Sequence, residues 1–125
     1  MIQEIVAIIG SRDYPALEKV DQYIGRLDPR CAIVTGGWWT ANDQMRMTRG
    51  VDSHAAHAAR ARGLVVILVG ADGERGGRLA GLERNPAIIL AATRVAAFWD
   101  GQSGGTRNGI NLAASYKRPC EIIRP

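Results

Sequence analysis

The sequence is poor in the residues from which metal centres, disulfide frameworks and hydrolytic triads are built. Its two cysteines, Cys31 and Cys120, stand far apart in apolar segments, a spacing that gives neither a zinc pattern nor a disulfide framework and reads as two reduced thiols in buried strands. The two histidines, His54 and His57, lie three apart on one predicted helix with no third ligand and no H-E-x-x-H. Helix capping by Asp52 beside partly exposed imidazoles is the simpler reading, and no metal is expected. The longest apolar runs, residues 64–69 and 87–92, fall far short of the roughly 20 residues of a membrane helix. Met1 leads almost directly into a strand pattern, so the expectation is a cytoplasmic protein without signal peptide or anchor.

Familiar nucleotide and hydrolase fingerprints are missing too. There is no G-x-x-x-x-G-K-[ST], and Gly10 does not open a G-x-G-x-x-G. Residues 101–105 do match G-x-S-x-G, but a nucleophile elbow at Ser103 requires a histidine downstream, and both histidines lie upstream. No Lys/Arg block and no aromatic RNA-binding motif occurs, nor any repeat, low-complexity tract or interdomain linker.

What remains is an ordinary globular composition. The 125 residues, 46% hydrophobic and 22% charged, suffice for one domain with one core. The net charge of +4 favours anionic partners, nucleotides and nucleic acid alike.

Short, almost wholly apolar runs alternate with segments of helical period. Strands are predicted at residues 3–9, 31–35, 64–69 and 95–99, with an edge strand at 120–123. Helices are predicted at residues 17–27, 53–62, 84–93 and 106–116, with Pro86 in the first turn of the third. The pattern specifies the α/β class: a single Rossmann-like domain of about five parallel strands with helices on both faces. Residues 38–48 (WWTANDQMRMT) fit neither period and read as an inserted surface loop.

Four strand ends run into small residues: Gly10-Ser11-Arg12, Gly36-Gly37, Gly70-Ala71-Asp72-Gly73, and Gly101 through Thr106. One glycine after a strand only turns the chain; four at the same end of a parallel sheet make a cradle in which backbone N–H groups and helix N-termini face an anion. Ser11, Ser103 and Thr106 could add hydroxyl donors, and Arg12, Arg49 or Arg84 could neutralise a phosphate, with Asn85 beside the last.

Taken in order, Gly10-Ser11-Arg12-Asp13-Tyr14, Val34-Thr35-Gly36-Gly37, Arg49-Gly50-Val51-Asp52 with Ser53 to Ala56, Ala80-Gly81 with Arg84-Asn85, and Ala97 to Asp100 with Gly105-Thr106 resemble the SLOG superfamily, and within it the small YpsA-related branch. The resemblance covers nearly the whole chain. It implies a Rossmann-like domain that binds nucleotides or nucleotide-derived molecules, commonly as a homodimer or larger assembly. One ligand loop would comprise Gly36, Gly37 and the stretch from Arg49 through Gly50 to Asp52; the other would run from Ser103 through Gly104 and Gly105 to Thr106. Among relatives, LOG-type phosphoribohydrolases cleave an N-glycosidic bond, and DNA-processing protein A binds single-stranded DNA.

The chain departs from that pattern twice. Residues 38–48 separate the double glycine from R-G-V-D; they could form a lid in which Trp38 or Trp39 stacks on a ring, or the tryptophans could pack on the domain or a partner subunit. The glutamate that follows G-G-x-G-T in LOG-type hydrolases is replaced by Arg107-Asn108-Gly109, which leaves Asp13, Asp52, Asp72, Glu83 and Asp100 as the acids near loop ends. The leading expectation is therefore binding of a nucleotide or nucleotide-derived phosphate ligand, by a sensor or an enzyme. An N-glycosidic hydrolase and a single-strand nucleic-acid binder are the alternatives.

Overall fold

The alternation along the first strand determines how the molecule is layered. In β1 (Glu4–Gly10), Val6 and Ile8 point to one side and Ala7 and Ile9 to the other, as a period of two requires, and each pair enters a different buried cluster. The computed structural model describes residues 1–41, 44–47, 50–72 and 77–125, with backbone alone at 38–41, 44–47, 72 and 77–79.

In chain order the elements are β1, α1 (Leu17–Arg26), β2 (Cys31–Thr35), β3 (Trp38–Ala41), β4 (Gln44–Met47), α2 (Val51–Ala61), β5 (Val65–Leu68), β6 (Ala71–Asp72), α3 (Gly77–Ala91), β7 (Arg94–Phe98), α4 (Gly104–Ser115) and β8 (Cys120–Ile123). Five strands form one parallel sheet in the order β5-β2-β1-β7-β8, with Ala7 opposite Val34 on one side and Val95 on the other. Helices α1 and α2 lead the chain outward through β2 to β5; α3 then carries it back across β1 to β7. The strand order reverses between β1 and β7, and their carboxyl ends open a crevice there.

Val6, Ile8 and Phe98 meet Val20 and Ile24 of α1 and Ala55 and Ala59 of α2 on one face. Ala7 and Ile9 meet Ile88 and Ile89 of α3 and Ala113 of α4 on the other. Alanine at 55 and 59, both fully buried, lets α2 lie close on the sheet. Phe98 is fully buried between the edges of Tyr14 and Tyr23, with ring centroids 5.7 and 5.8 Å away. Buried side chains of this size contribute about 1.5–3 kcal/mol each.

Three expectations are corrected. Residues 38–48 are not a plain loop: β3 and β4 pair antiparallel, Trp38 opposite Met47, and β6 adds beside β3 in parallel. Tryptophan and threonine favour extended backbone, but the stretch lacks the polar–apolar alternation that announces a strand. Helix α3 begins at Gly77, not at residue 84, so Pro86 lies well inside it, where the Leu82 carbonyl loses its usual N–H partner. The glycines at 77 and 81 hid that start; buried Ala80 shows that packing overrides their poor helix propensity. Finally, Cys120 is only half-buried, being on an edge strand, while Cys31 is buried; burial pushes the Cys120 thiol above its ordinary pKa.

Among the described residues no helix is long and apolar enough to cross a membrane.

Candidate functional site

The β1 loop and the start of α2 are pressed together at the crevice. The Ser11 N–H donates to Phe98 O at 3.2 Å, tying the loop to β7. Gly50 has φ +106°, and a Cβ there would stand 2.6 Å from Arg12 Cα, so only glycine allows this approach. Because the chain turns at Gly50, α2 starts at Val51 with no side-chain cap. Asp52 is therefore not the cap expected from the sequence; it sits in the first helical turn and lines the crevice.

Burial pushes the Asp52 carboxyl up to about 6, against the opposing pull of the Arg84 and Arg12 guanidinium groups and of the Gly10 and Gly36 amides. The residue as a whole is partly exposed, but Oδ1 is sealed from solvent and has no hydrogen-bond partner among the described residues. Arg84 donates from Nη1 to Val69 O at 2.9 Å and from Nε to Asn85 Oδ1 at 3.4 Å. Its own burial lowers its pKa, and Asp52 works in the opposite sense. Gly36 makes this seating possible: a Cβ there would stand 2.7 Å from Arg84 Cζ and 2.9 Å from Asp52 Oδ2. Asn85 Nδ2 then reaches Asn108 Oδ1 at 3.0 Å and Gly105 O at 3.4 Å, joining α3 to the first turns of α4.

At the start of α4 Ser103 is the N-cap, its Oγ accepting from Thr106 N at 3.5 Å and from Thr106 Oγ1 at 3.2 Å. Asp100 Oδ1 accepts from Gln102 N and Ser103 N, both at 2.8 Å, and these amides, Ser103 first, hold its carboxyl below the usual carboxylate range. Part of the expected anion cradle is thus filled by the chain's own Asp100. The first-turn amides of Gly104 and Gly105 remain as the donors a helix N-terminus offers to a ligand. Beside them the Trp99 indole donates to Ser103 O at 3.1 Å, and the Arg107 and Arg124 guanidinium carbons lie 5.4 and 5.5 Å from its ring centroid.

These loops enclose a cavity of about 530 Å³. Of the residues singled out from sequence, Gly10, Ser11, Arg12, Gly37, Asp52, Arg84, Asn85, Ser103, Gly105 and Thr106 line it. Gly36 and Gly50 are not among the lining residues but shape the wall through the close approaches described above, and Gly104 only begins α4. Arg49 lies outside the described residues, as do the side chains of Trp38, Trp39 and Asp72. Of the remaining candidate acids, Asp13 and Asp100 line the cavity and Glu83 does not. Sequence reasoning missed Gln102 and the apolar wall of Leu82, Ile88 and Ile89. The D-G-x-S order at Asp100 to Ser103 is an Asx-turn signal that could have revealed how Asp100 is used.

His54 Nε2 meets Asp21 Oδ1 at 2.9 Å on α1, and among the described residues no group of three His, Cys, Asp or Glu is placed to hold a metal ion.

No family model matches the chain, and neither does any curated protein. Solved structures do. DNA processing protein A from Streptococcus pneumoniae superposes with a TM-score of 0.79 at 19% identity, over 98% of this chain and 50% of that one. DNA processing protein A from Helicobacter pylori, whose structure describes a single-stranded DNA binding mode, superposes at 0.69 and 18% identity, over 99% of this chain and 66% of that one. At such identities the likeness shows the fold, the Rossmann-like α/β arrangement expected from the sequence. The chain spans half to two thirds of those proteins' length.

Proposed function

We propose that the chain is a SLOG-type binding module whose cavity takes the sugar and phosphate of one nucleotide unit presented by single-stranded nucleic acid. The observation that carries this reading is the cavity itself. It lies at the topological switch point, its volume of about 530 Å³ falls within the range of small-molecule sites, and it brings Arg12, Arg84 and the α4 N-terminus to one place. The Gly105 amide with Arg12 offers a phosphate its donors, and Arg84 adds charge from the wall. Single-stranded DNA binding by the Helicobacter pylori neighbour and the net charge of +4 support a strand as the source of that unit. The order of motifs also supports the YpsA-related branch.

A free nucleotide derivative is the second reading, favoured by the sealed polar atoms of the cavity, which suit a ligand that enters whole. Glycosidic hydrolysis is not part of either. At the position of the missing glutamate, Arg107 lies against Trp99, and the Asn108 amide oxygen accepts from Asn85.

Anisotropy titration of a labelled single-stranded oligonucleotide, with competition by nucleoside monophosphates, tests the proposal. Micromolar or tighter binding that weakens steeply with salt and resists mononucleotides is the expected result. Stabilisation by mononucleotides with no oligonucleotide binding selects the second reading, and no response to either probe overturns both.

A further inference from the structure

The cavity lining is amphoteric. Beside Arg12 and Arg84 the lining carries the carboxylates of Asp13, Asp52 and Asp100, and a phosphate alone would leave Asp52 Oδ1 unaddressed. Asp100 is satisfied by backbone amides; Asp52 Oδ1 is not.

A second polar atom in the same cavity shares this condition. Ser11 is 3% exposed, and its Oγ has no hydrogen-bond partner among the described residues. It lies near enough to Asp100 to help hold that carboxyl low, without closing a hydrogen bond of ordinary geometry. Both residues line the cavity, from two segments that Gly50 brings into contact. Buried polar atoms in folded proteins are almost always paired, and leaving one unpaired costs about 1–3 kcal/mol, more if charged. Two such atoms, on residues that line one cavity, mark a place where a ligand supplies the partners.

The chemistry of the pair selects the ligand group. A carboxylate oxygen only accepts, so it requires a donor; a serine hydroxyl both donates and accepts. Phosphate oxygens offer no donor and would be repelled by Asp52. A hydroxyl group gives its proton to Asp52 Oδ1 and accepts from Ser11 Oγ, which satisfies both at once.

We infer that Ser11 Oγ and Asp52 Oδ1 form a subsite for a sugar hydroxyl of the bound nucleotide unit, beside the arginines that take its phosphate. This rests on the reading that the cavity binds such a unit. Two sources share the chemistry: the 2′-hydroxyl of a ribonucleotide and the free 3′-hydroxyl at a strand end.

Four labelled octamers of identical base sequence separate them: ribo- and 2′-deoxyribo-oligonucleotides, each with a free or a 3′-deoxy terminus. Removing the recognised hydroxyl weakens wild-type binding about tenfold, the scale of one hydrogen bond to a charged group. Sensitivity to the 2′ position identifies ribose, and sensitivity to the terminus identifies the strand end. In Ser11→Ala and Asp52→Asn the discrimination shrinks to about twofold or less. Ser11→Ala removes a hydroxyl that closes no hydrogen bond of ordinary geometry within the protein, so the melting temperature changes little and the variant remains informative if Asp52→Asn folds poorly. Equal wild-type affinity for all four octamers, or discrimination that survives in Ser11→Ala, overturns the inference while leaving the binding reading intact. Failure of every octamer to bind overturns the reading beneath it.

Discussion

Asp52 gives the protein a pH dependence of unusual sign for a carboxylate. Its folded-state pKa, raised to about 6 by burial, exceeds the value near 3.8 of an unperturbed side chain. Between those values the folded state binds more protons than the unfolded one, so stability falls as pH rises from about 4 to 6, by roughly 2–3 kcal/mol at most. Asp28, held down to about 2 by Arg30, and Asp100, lowered by the amides of α4, act with the opposite sign in a more acid range. Urea unfolding at pH 5, 6 and 7 should show the wild type losing stability across this range, and Asp52→Asn should remove most of that slope. Superimposable pH profiles for the two proteins would sink the assignment. Gly36 makes a second residue-scale prediction. Gly36→Ala places a Cβ against Arg84 Cζ and Asp52 Oδ2, so the charged pair must move. Oligonucleotide affinity should drop about tenfold or more in that variant, and unaltered affinity in a titration would show that the pair's position is immaterial.

At the level of elements, one arginine on each face of the sheet closes the C-terminal end of a helix. Arg62, just after α2, donates from Nη1 to Leu27 O at 3.0 Å and to Ile24 O, covering carbonyls at the end of α1. Arg118 does the same for α3, reaching Ala92 O at 2.8 Å and Leu90 O at 3.4 Å. Carbonyls of a last turn have no partner within their helix, and a cation there also answers the helix dipole. Arg62→Ala should therefore cost about 1–2 kcal/mol in urea unfolding; a loss below 0.5 kcal/mol, the surface norm, would show that solvent serves those carbonyls equally well. Such caps were not legible in the sequence, because each joins segments distant along the chain. What was legible is whatever strong punctuation bounds: β2 is read to the residue between Pro29 and Gly36, and β8 after Pro119. The start of α3 and the β3–β4 ribbon were not, since glycine masked the one and irregular polarity the other. The glycine loops of the site could be read for the same reason as β2. That Asp100 occupies two amides ahead of α4, and that Asn85 pairs with Asn108, follow from tertiary placement alone.

For the molecule as a whole, topology gathers the loops after β1, β2 and β7 and the start of α2 at one end of the sheet, and the cavity between them concentrates guanidinium groups of unlike burial. Arg84 is substantially buried and bonded to Val69 O, whereas Arg12 is exposed, and both act on Asp52. Their removal should therefore separate affinity from stability. Arg84→Ala leaves a buried carboxyl uncompensated and a carbonyl unpaired, so it should lower the melting temperature together with oligonucleotide affinity. Arg12→Ala should leave the melting temperature within a degree or two, weaken oligonucleotide binding about three- to tenfold at low salt, and reduce the slope of log Kd against log salt by about 1, one phosphate contact. Anisotropy titrations between 50 and 200 mM salt measure that slope. If Arg12→Ala keeps the wild-type slope while Arg84→Ala abolishes binding, the phosphate lies deeper in the cavity, against Arg84 alone. If neither substitution changes the slope, the strand does not cross this end of the sheet at all, and the cavity must be assigned to a ligand held without its arginines.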